Sequence, residues 1–252
     1  MAKSDPQQPE TRGVAERSFT CSVEGRSVPV AVWLPMSRQR SPLVLVGHGG
    51  SGHKRSEFVL DVVAPLVREH GFAVAAIDGP VHGDRRATPA APEAVRDEFR
   101  ALWEAGGSVE PMVADWRGVL DALCSFREID ASAVAYYGLS MGTAYGLPFL
   151  AGEPRIHAAA IGMWGTSRAN SQRLMDDARR VRCPTMFSLQ WDDPLFTREG
   201  QFEVFDALAS QNKHMSIYPG GHLNPSGARL DDIVYFLARE LAHRARSSVQ
   251  SP

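Results

Sequence analysis

The apolar, β-prone run Val134 to Leu139 delivers a serine, Ser140, between two glycines, Gly138 and Gly142. A strand that reverses sharply into a helix leaves no room for side chains beside the turn. Glycines two residues before and two after let the serine between them take strained backbone angles, with its hydroxyl standing clear of the sheet. A hydroxyl so placed is a candidate for nucleophilic attack on an acyl carbon. The amide of Met141 would head the following helix, where unpaired N–H groups and the helix dipole favour a developing oxyanion. A glycine-rich turn with a solvated serine fits the same G-x-S-x-G pattern, so the surroundings must decide.

A neutral hydroxyl attacks poorly. It needs a base within hydrogen-bond reach and a third group that holds the base in the right tautomer. His222 fits the base: it lies in the turn Pro219-Gly-Gly-His222, past the last predicted strand, where an imidazole has no apolar face to pack on. A capping or solvated histidine is the alternative reading there. Two adjacent acids, Asp192 and Asp193, follow the apolar strand Pro184 to Gln190, and Asp193 precedes His222 by 29 residues. Serine, acid and histidine thus each come just past a predicted strand, where open α/β sheets place ligand sites.

The elements that must position these groups follow from hydrophobic patterning. Strands are expected at 18–23, 28–34, 43–46, 72–77, 133–137, 158–163, 185–190 and 214–218, the first two as an antiparallel hairpin. Helices are expected at 56–70, with Ser56 as cap and Gly71 as stop, and at 92–104, 111–126, 141–150, 197–210 and 227–243. This alternation predicts one mostly parallel eight-stranded sheet with helices on both faces. Between the sixth and seventh strands, residues 165–183 leave room for no more than a helix and a turn, which excludes a large cap domain at that position. The proline- and glycine-rich connection from Gly79 to Val113 is expected to cover the site instead.

In the order serine, acid, histidine and in the glycine-flanked serine, the chain resembles the α/β-hydrolases. The stretch Leu189-Gln-Trp-Asp-Asp-Pro-Leu-Phe196, followed by Phe202-Glu-Val-Phe-Asp-Ala-Leu208, is similar to the acid loop of dienelactone-hydrolase-like enzymes. The resemblance spans roughly residues 18 to 243. Serine stands where dienelactone hydrolases proper use cysteine, which favours the broader set of serine esterases. What it implies is an α/β-hydrolase fold that cleaves carboxylic esters of small or medium acyl groups, linear or lactone, with Ser140 as nucleophile, His222 as base and Asp193 as orienting acid. Aligning Gln190 to Phe196 on the form G-x-x-D-x-x-V puts Asp193 rather than Asp192 in the acid position, with glutamine at 190 where glycine is common. No metal or organic cofactor is implied. A serine-dependent acyltransferase, cyclase or lyase, and a non-catalytic ligand-binding protein, are the alternatives on the same fold.

The run Leu43-Val-Leu-Val-Gly47-His-Gly-Gly-Ser-Gly52 admits two readings. Its H-G-G portion resembles an oxyanion loop, with the amide of Gly50 as second donor beside Met141, Gly49 and Ser51 as the neighbouring candidates, and His48 as support. Yet Gly47-x-Gly49-x-x-Gly52 also follows a strand and is trailed by Asp78, as a dinucleotide fingerprint demands, so an NAD(P)-dependent enzyme is a competing reading. A delayed helix cap at Ser56 argues against it, because a pyrophosphate needs the helix to begin inside the glycines. His82 is read as ordering its own turn or lining the site. Trp164, Phe196 and Leu223 are candidate substrate contacts, and Trp103, Met112 and Trp116 are read as packing.

The partner the resemblance implies is a small-molecule ester, and composition points to no other. With 27 basic and 29 acidic residues in 252 and no basic run, nucleic acid is not expected as a partner. Cys21, Cys124 and Cys183 are three and far apart, pointing to reduced thiols and no metal site. Neither a secretory apolar segment nor an apolar run of about 18 residues appears, so no membrane partner and a cytoplasmic location are expected. Residues 1–17 and 244–252 read as flexible tails around one domain, 18–243, whose oligomeric state the residues do not specify.

Overall fold

The computed structural model describes residues 13–249, with side chains to residue 242. The outer parts of both expected tails, 1–12 and 250–252, lie outside the described residues. Their inner parts do not behave as tails. The first strand, β1, spans Val14–Val23 and pairs with β2, Arg26–Pro35, over its whole length. The last helix, α7, runs Ala228–Val249, past the expected end at 243.

The hairpin turn is only Glu24-Gly25, both with positive φ (49° and 79°), the backbone that lets a two-residue loop follow the twist of the strands. Six further strands follow: β3 Ser41–Gly47, β4 Ala73–Ile77, β5 Ile129–Leu139, β6 Ile156–Gly162, β7 Thr185–Gln190 and β8 Lys213–Tyr218. They form one eight-stranded sheet in the order β1-β2-β4-β3-β5-β6-β7-β8. The β1–β2 and β2–β4 pairs are antiparallel and every other pair is parallel.

Buried strands have side chains on two covered faces, and β3 shows how they divide. Leu43 and Leu45 point into one core with Phe99, Trp103, Trp116, Leu147 and Leu174. Val44 and Val46 point into the other with Phe58, Val62, Ile233 and Leu237. The first face is covered by α2 (Pro92–Ala105), α3 (Val109–Cys124), α4 (Met141–Ala151), α5 (Arg173–Ala178) and α6 (Arg198–Ala207), the second by α1 (Glu57–Val63) and α7. A π-helical turn, Ala64–Glu69, extends α1, and Gly71 at φ 70° ends it. Ser56 stands at the N-cap of α1, but its hydroxyl donates to the His53 carbonyl at 2.8 Å instead of capping.

The chain leaves β3 toward β4 on one side and returns to β5 on the other. The ends of β3 and β5, Gly47 and Gly138, are therefore in register at a topological switch point, where a crevice opens. Only α5 and turns lie between β6 and β7, and no cap domain is present among the described residues. The long connection after β4 carries a 3-10 turn at Gly83–Arg85 and then α2, which lies over the crevice. No helix among the described residues is long and apolar enough to cross a membrane.

Candidate active site

Ser140 has φ 57° and ψ −120°, a conformation side chains avoid, between β5 and α4. Close packing enforces it. A Cβ on Gly142 would lie 2.3 Å from the Gly47 carbonyl oxygen, and one on Gly138 would lie 2.8 Å from the Tyr136 hydroxyl. Three bonds brace the turn: the Ser140 amide donates to the Gly162 carbonyl at 2.9 Å, the Tyr136 hydroxyl to the Gly142 carbonyl at 2.6 Å, and the Gly162 amide to Thr143 Oγ1 at 2.7 Å. Thr143 Oγ1 in turn lies 2.6 Å from the Gly162 carbonyl, joining the ends of β5 and β6. Tyr136 and Thr143 are fully buried, and nothing in their local patterns marks them as supports.

His222 Nε2 lies 2.9 Å from Ser140 Oγ, and its Nδ1 lies 2.7 Å from Asp193 Oδ2. The Asp193 carboxylate is shut from water, with 1% of its side chain exposed. Its other oxygen accepts from the amides of Leu195 and Phe196 at 2.8 and 3.3 Å, which fixes the carboxylate plane. Asp192 turns the other way: its Oδ2 accepts from the Gly220 amide at 3.1 Å, lacing the acid loop to the histidine loop. The glutamine at 190 has a task a glycine could not perform. Its Oε1 accepts from the Leu223 amide at 2.8 Å and its Nε2 donates to the Leu223 carbonyl at 2.5 Å, clasping the residue after His222.

Behind the loop after β3 stand two buried histidines. His48 Nε2 accepts from the Gly79 amide at 2.9 Å, so the ring proton sits on Nδ1, which donates to the Gly49 carbonyl at 2.8 Å. His82 Nε2 lies 2.9 Å from the Gly50 carbonyl and donates to it. In a planar trans peptide the C=O and N–H point oppositely. Drawing those two carbonyls back turns the next amides, of Gly50 and Ser51, away from the histidines, and both residues line the pocket beside Ser140. Met141 heads α4, so its amide has no intrahelical acceptor. Burial, with His82 alongside, holds His48 well below the usual histidine range, and burial also lowers His82.

A pocket of about 200 Å³ opens at Ser140 and His222. Phe99, Met163, Trp164, Leu195 and Phe196 supply its apolar wall. Trp164 is held by its Nε1 donating to Ser171 Oγ at 3.0 Å and by Phe196, ring centroids 4.6 Å apart. Two expected substrate contacts are elsewhere. His82 is fully buried behind the Gly50 carbonyl rather than in the pocket, because its imidazole is occupied in holding that loop. Leu223 is 65% exposed with its side chain outside the pocket, since Gln190 holds its backbone. In their place stand Phe99, Arg96 and Arg100 from α2, and Arg168 from the loop after β6.

The dinucleotide reading of the Gly47–Gly52 run finds no support. The helix starts at Glu57, beyond the glycines. Asp78, which would bind a ribose, is fully buried and bonded instead to the Lys54 ammonium at 2.6 Å, the Lys54 amide at 2.8 Å and the Asp84 amide at 2.9 Å. Among the described residues no cluster of three or more His, Cys, Asp or Glu is placed to hold a metal ion.

Neither a family model nor a curated relative matches the chain. Solved structures do. A cold-adapted esterase from an Arctic intertidal metagenomic library, in its PEG-bound complex, is 32% identical over 95% of this chain and 99% of its own, with a TM-score of 0.81. A putative dienelactone hydrolase from Klebsiella pneumoniae shares the fold at 15% identity, over 92% of this chain and 99% of its own, with a TM-score of 0.72. So does an acetyl xylan esterase from Paenibacillus sp. R4, at 18% identity over 93% and 87%, with a TM-score of 0.72. The chain belongs to the α/β-hydrolase superfamily and is similar to its esterases and dienelactone hydrolases.

Proposed function

We propose that the protein hydrolyses carboxylic esters through an acyl-enzyme on Ser140. The observation that carries this reading is a single imidazole, His222, within hydrogen-bond reach of both Ser140 Oγ and Asp193 Oδ2. Likeness to a cold-adapted esterase at 32% identity supports the reaction class.

Ser140 Oγ attacks the ester carbonyl carbon as its proton passes to His222 Nε2. Asp193 keeps Nδ1 protonated and stabilises the imidazolium. The tetrahedral oxyanion is held by the amides of Met141 and Gly50, and a donor of this kind contributes roughly 10²–10³ to turnover. Collapse expels the alcohol, which takes the proton from Nε2. Water then repeats the sequence with His222 as base, releasing the acid and Ser140.

The small pocket, walled by Trp164 and Phe196 and roofed by α2, favours small or medium acyl groups. Three cysteines without disulfides support a reducing, cytoplasmic setting. The reading is tested by labelling with a fluorophosphonate and by a series of p-nitrophenyl esters. It expects stoichiometric label on Ser140 and a rate maximum at short chains. An unlabelled Ser140, or a preference for long-chain esters that rises above their solubility limit, would count against it.

A further inference from the structure

Lysine and aspartate are seldom shut away from water, yet Lys54 shows 3% of its side chain to solvent and Asp78 none. Taking two ions out of water is costly, and an apolar pair of similar volume is often as stable or more so. Stability is therefore a poor reason for this pair. Its further bonds supply another. Asp78 Oδ1 accepts from the Lys54 amide at 2.8 Å, and Oδ2 accepts from the Lys54 ammonium at 2.6 Å and the Asp84 amide at 2.9 Å. The ammonium also donates to Asp84 Oδ2 at 2.5 Å. One carboxylate thus ties the loop after β3, where Lys54 lies four residues past Gly50, to the turn after β4. No apolar side chain could accept those two amides.

The turn packs directly on the carboxylate. Gly83 has φ 50°, and a Cβ there would lie 2.2 Å from Asp78 Oδ1. Just before Gly83 stands His82, whose amide donates to the Gly79 carbonyl at 3.1 Å and whose Nε2 donates to the Gly50 carbonyl at 2.9 Å. Loop and turn are therefore laced at three points: His48 with Gly79, Gly50 with His82, and Lys54 with Asp78. The middle point bears on the site, since Gly50 lines the pocket beside Ser140.

We propose that Lys54 and Asp78 are positioning residues for the hydrolysis: by fixing the 78–84 turn they hold His82 against the Gly50 carbonyl, and so keep Gly50 where its amide meets the oxyanion. This rests on the reading of Ser140 as nucleophile for the reaction that is slowed, and the geometry is tested apart from it. A donor that serves the transition state more than the ground state changes kcat and leaves KM nearly alone. Displacing such a group by about 1 Å is enough for a loss on the order of 10².

Two variants open the clamp to different degrees. Asp78→Asn keeps one acceptor oxygen and leaves the ammonium its Asp84 partner, so it should fold; Lys54→Met with Asp78→Asn removes both charges together. In each, kcat for p-nitrophenyl acetate should fall by about 10- to 100-fold, with KM within about threefold of the parent. Affinity for a trifluoromethyl ketone, whose hemiketal on serine carries an oxyanion, should fall by a similar factor. Glu153→Gln breaks a different buried ion pair, with Arg155 at 2.7 Å, past the end of α4 remote from Ser140. It should lower the thermal midpoint and leave kcat near the parent value. Because the clamp acts through His82, its loss combined with His82→Leu should fall at least about fivefold short of the product of the separate losses. Without any ester, NMR should show hydrogen exchange of the His82 Nε2 proton quickening by about tenfold or more in Asp78→Asn. Parent kcat in both clamp variants, separate losses that multiply, or unchanged exchange at His82 overturns the proposal. A parent protein that turns over no ester contradicts the chemistry assigned to Ser140 instead, and the exchange measurement still decides the clamp.

Discussion

The two adjacent aspartates after β7 show how much one residue of displacement decides. Asp193 meets His222 Nδ1 while its second oxygen is tied to two amides, and Asp192 meets only the Gly220 amide. Asp193→Asn should therefore lower kcat by about 10⁴, the scale on which losing the orienting acid acts, whereas Asp192→Asn keeps an acceptor for Gly220 and should cost under about tenfold. Steady-state hydrolysis of p-nitrophenyl acetate by the two folded variants checks this, and equal losses would contradict it. Gln190 belongs to the same scale. Gln190→Ala leaves the Leu223 carbonyl without its side-chain donor and the Leu223 amide with only the Gly221 carbonyl, a loss of roughly 1 kcal/mol per hydrogen bond. A lowered thermal midpoint with reduced kcat is the expected result, and unchanged values would contradict the clasp.

At the scale of elements, the loop after β3 is shaped from behind by His48 and His82, and burial disfavours the charged form of both. The sign of the pH effect follows. Burial lowers both in the folded state, so below about pH 6.5 the unfolded chain takes up protons that the native rings refuse, and stability falls as pH falls through that value. Above it these two groups contribute no pH dependence. Urea midpoints measured from pH 8 to 5 should drop below about 6.5, and less steeply in His82→Gln, which removes one of the titrating rings. A flat profile in the wild-type protein would contradict the neutral, buried assignment.

The same elements show what could be read before any coordinates. All eight strands were legible, because β3 to β7 are buried runs bounded by Gly, Pro or polar turns, and the Gly138–Gly142 spacing marked where β5 must reverse. That Ser140, Asp193 and His222 come together was legible as well, because each follows a strand within a few residues. What was not legible depends on contacts between distant segments. Nothing local to Tyr136 or Thr143 reveals a hydroxyl bracing the elbow, and nothing in α2 reveals that Arg96 and Phe99 face the site while Trp103 packs behind. His82 and Leu223 were misplaced for that reason: their positions at strand ends matched the pocket, but their partners, the Gly50 carbonyl and Gln190, hold them out of it.

At the scale of the whole molecule, the switch point between β3 and β5 can serve one chemistry. The helix after the glycine run begins only at Glu57, so no helix N-terminus meets a pyrophosphate there, and Asp78 is consumed by Lys54, so neither half of a dinucleotide finds its partners. Calorimetric titration with NAD and NADP should give no saturable heat, and micromolar binding would overturn this account of the loop. The central claim is that the acyl group passes through Ser140. Its most direct test is hydrolysis of p-nitrophenyl butyrate by purified Ser140→Ala whose circular dichroism and thermal midpoint match the parent. The account predicts a loss of turnover on the order of 10⁶, as for a nucleophile acting as a unit with its base. Hydrolysis within about tenfold of the parent rate would contradict it.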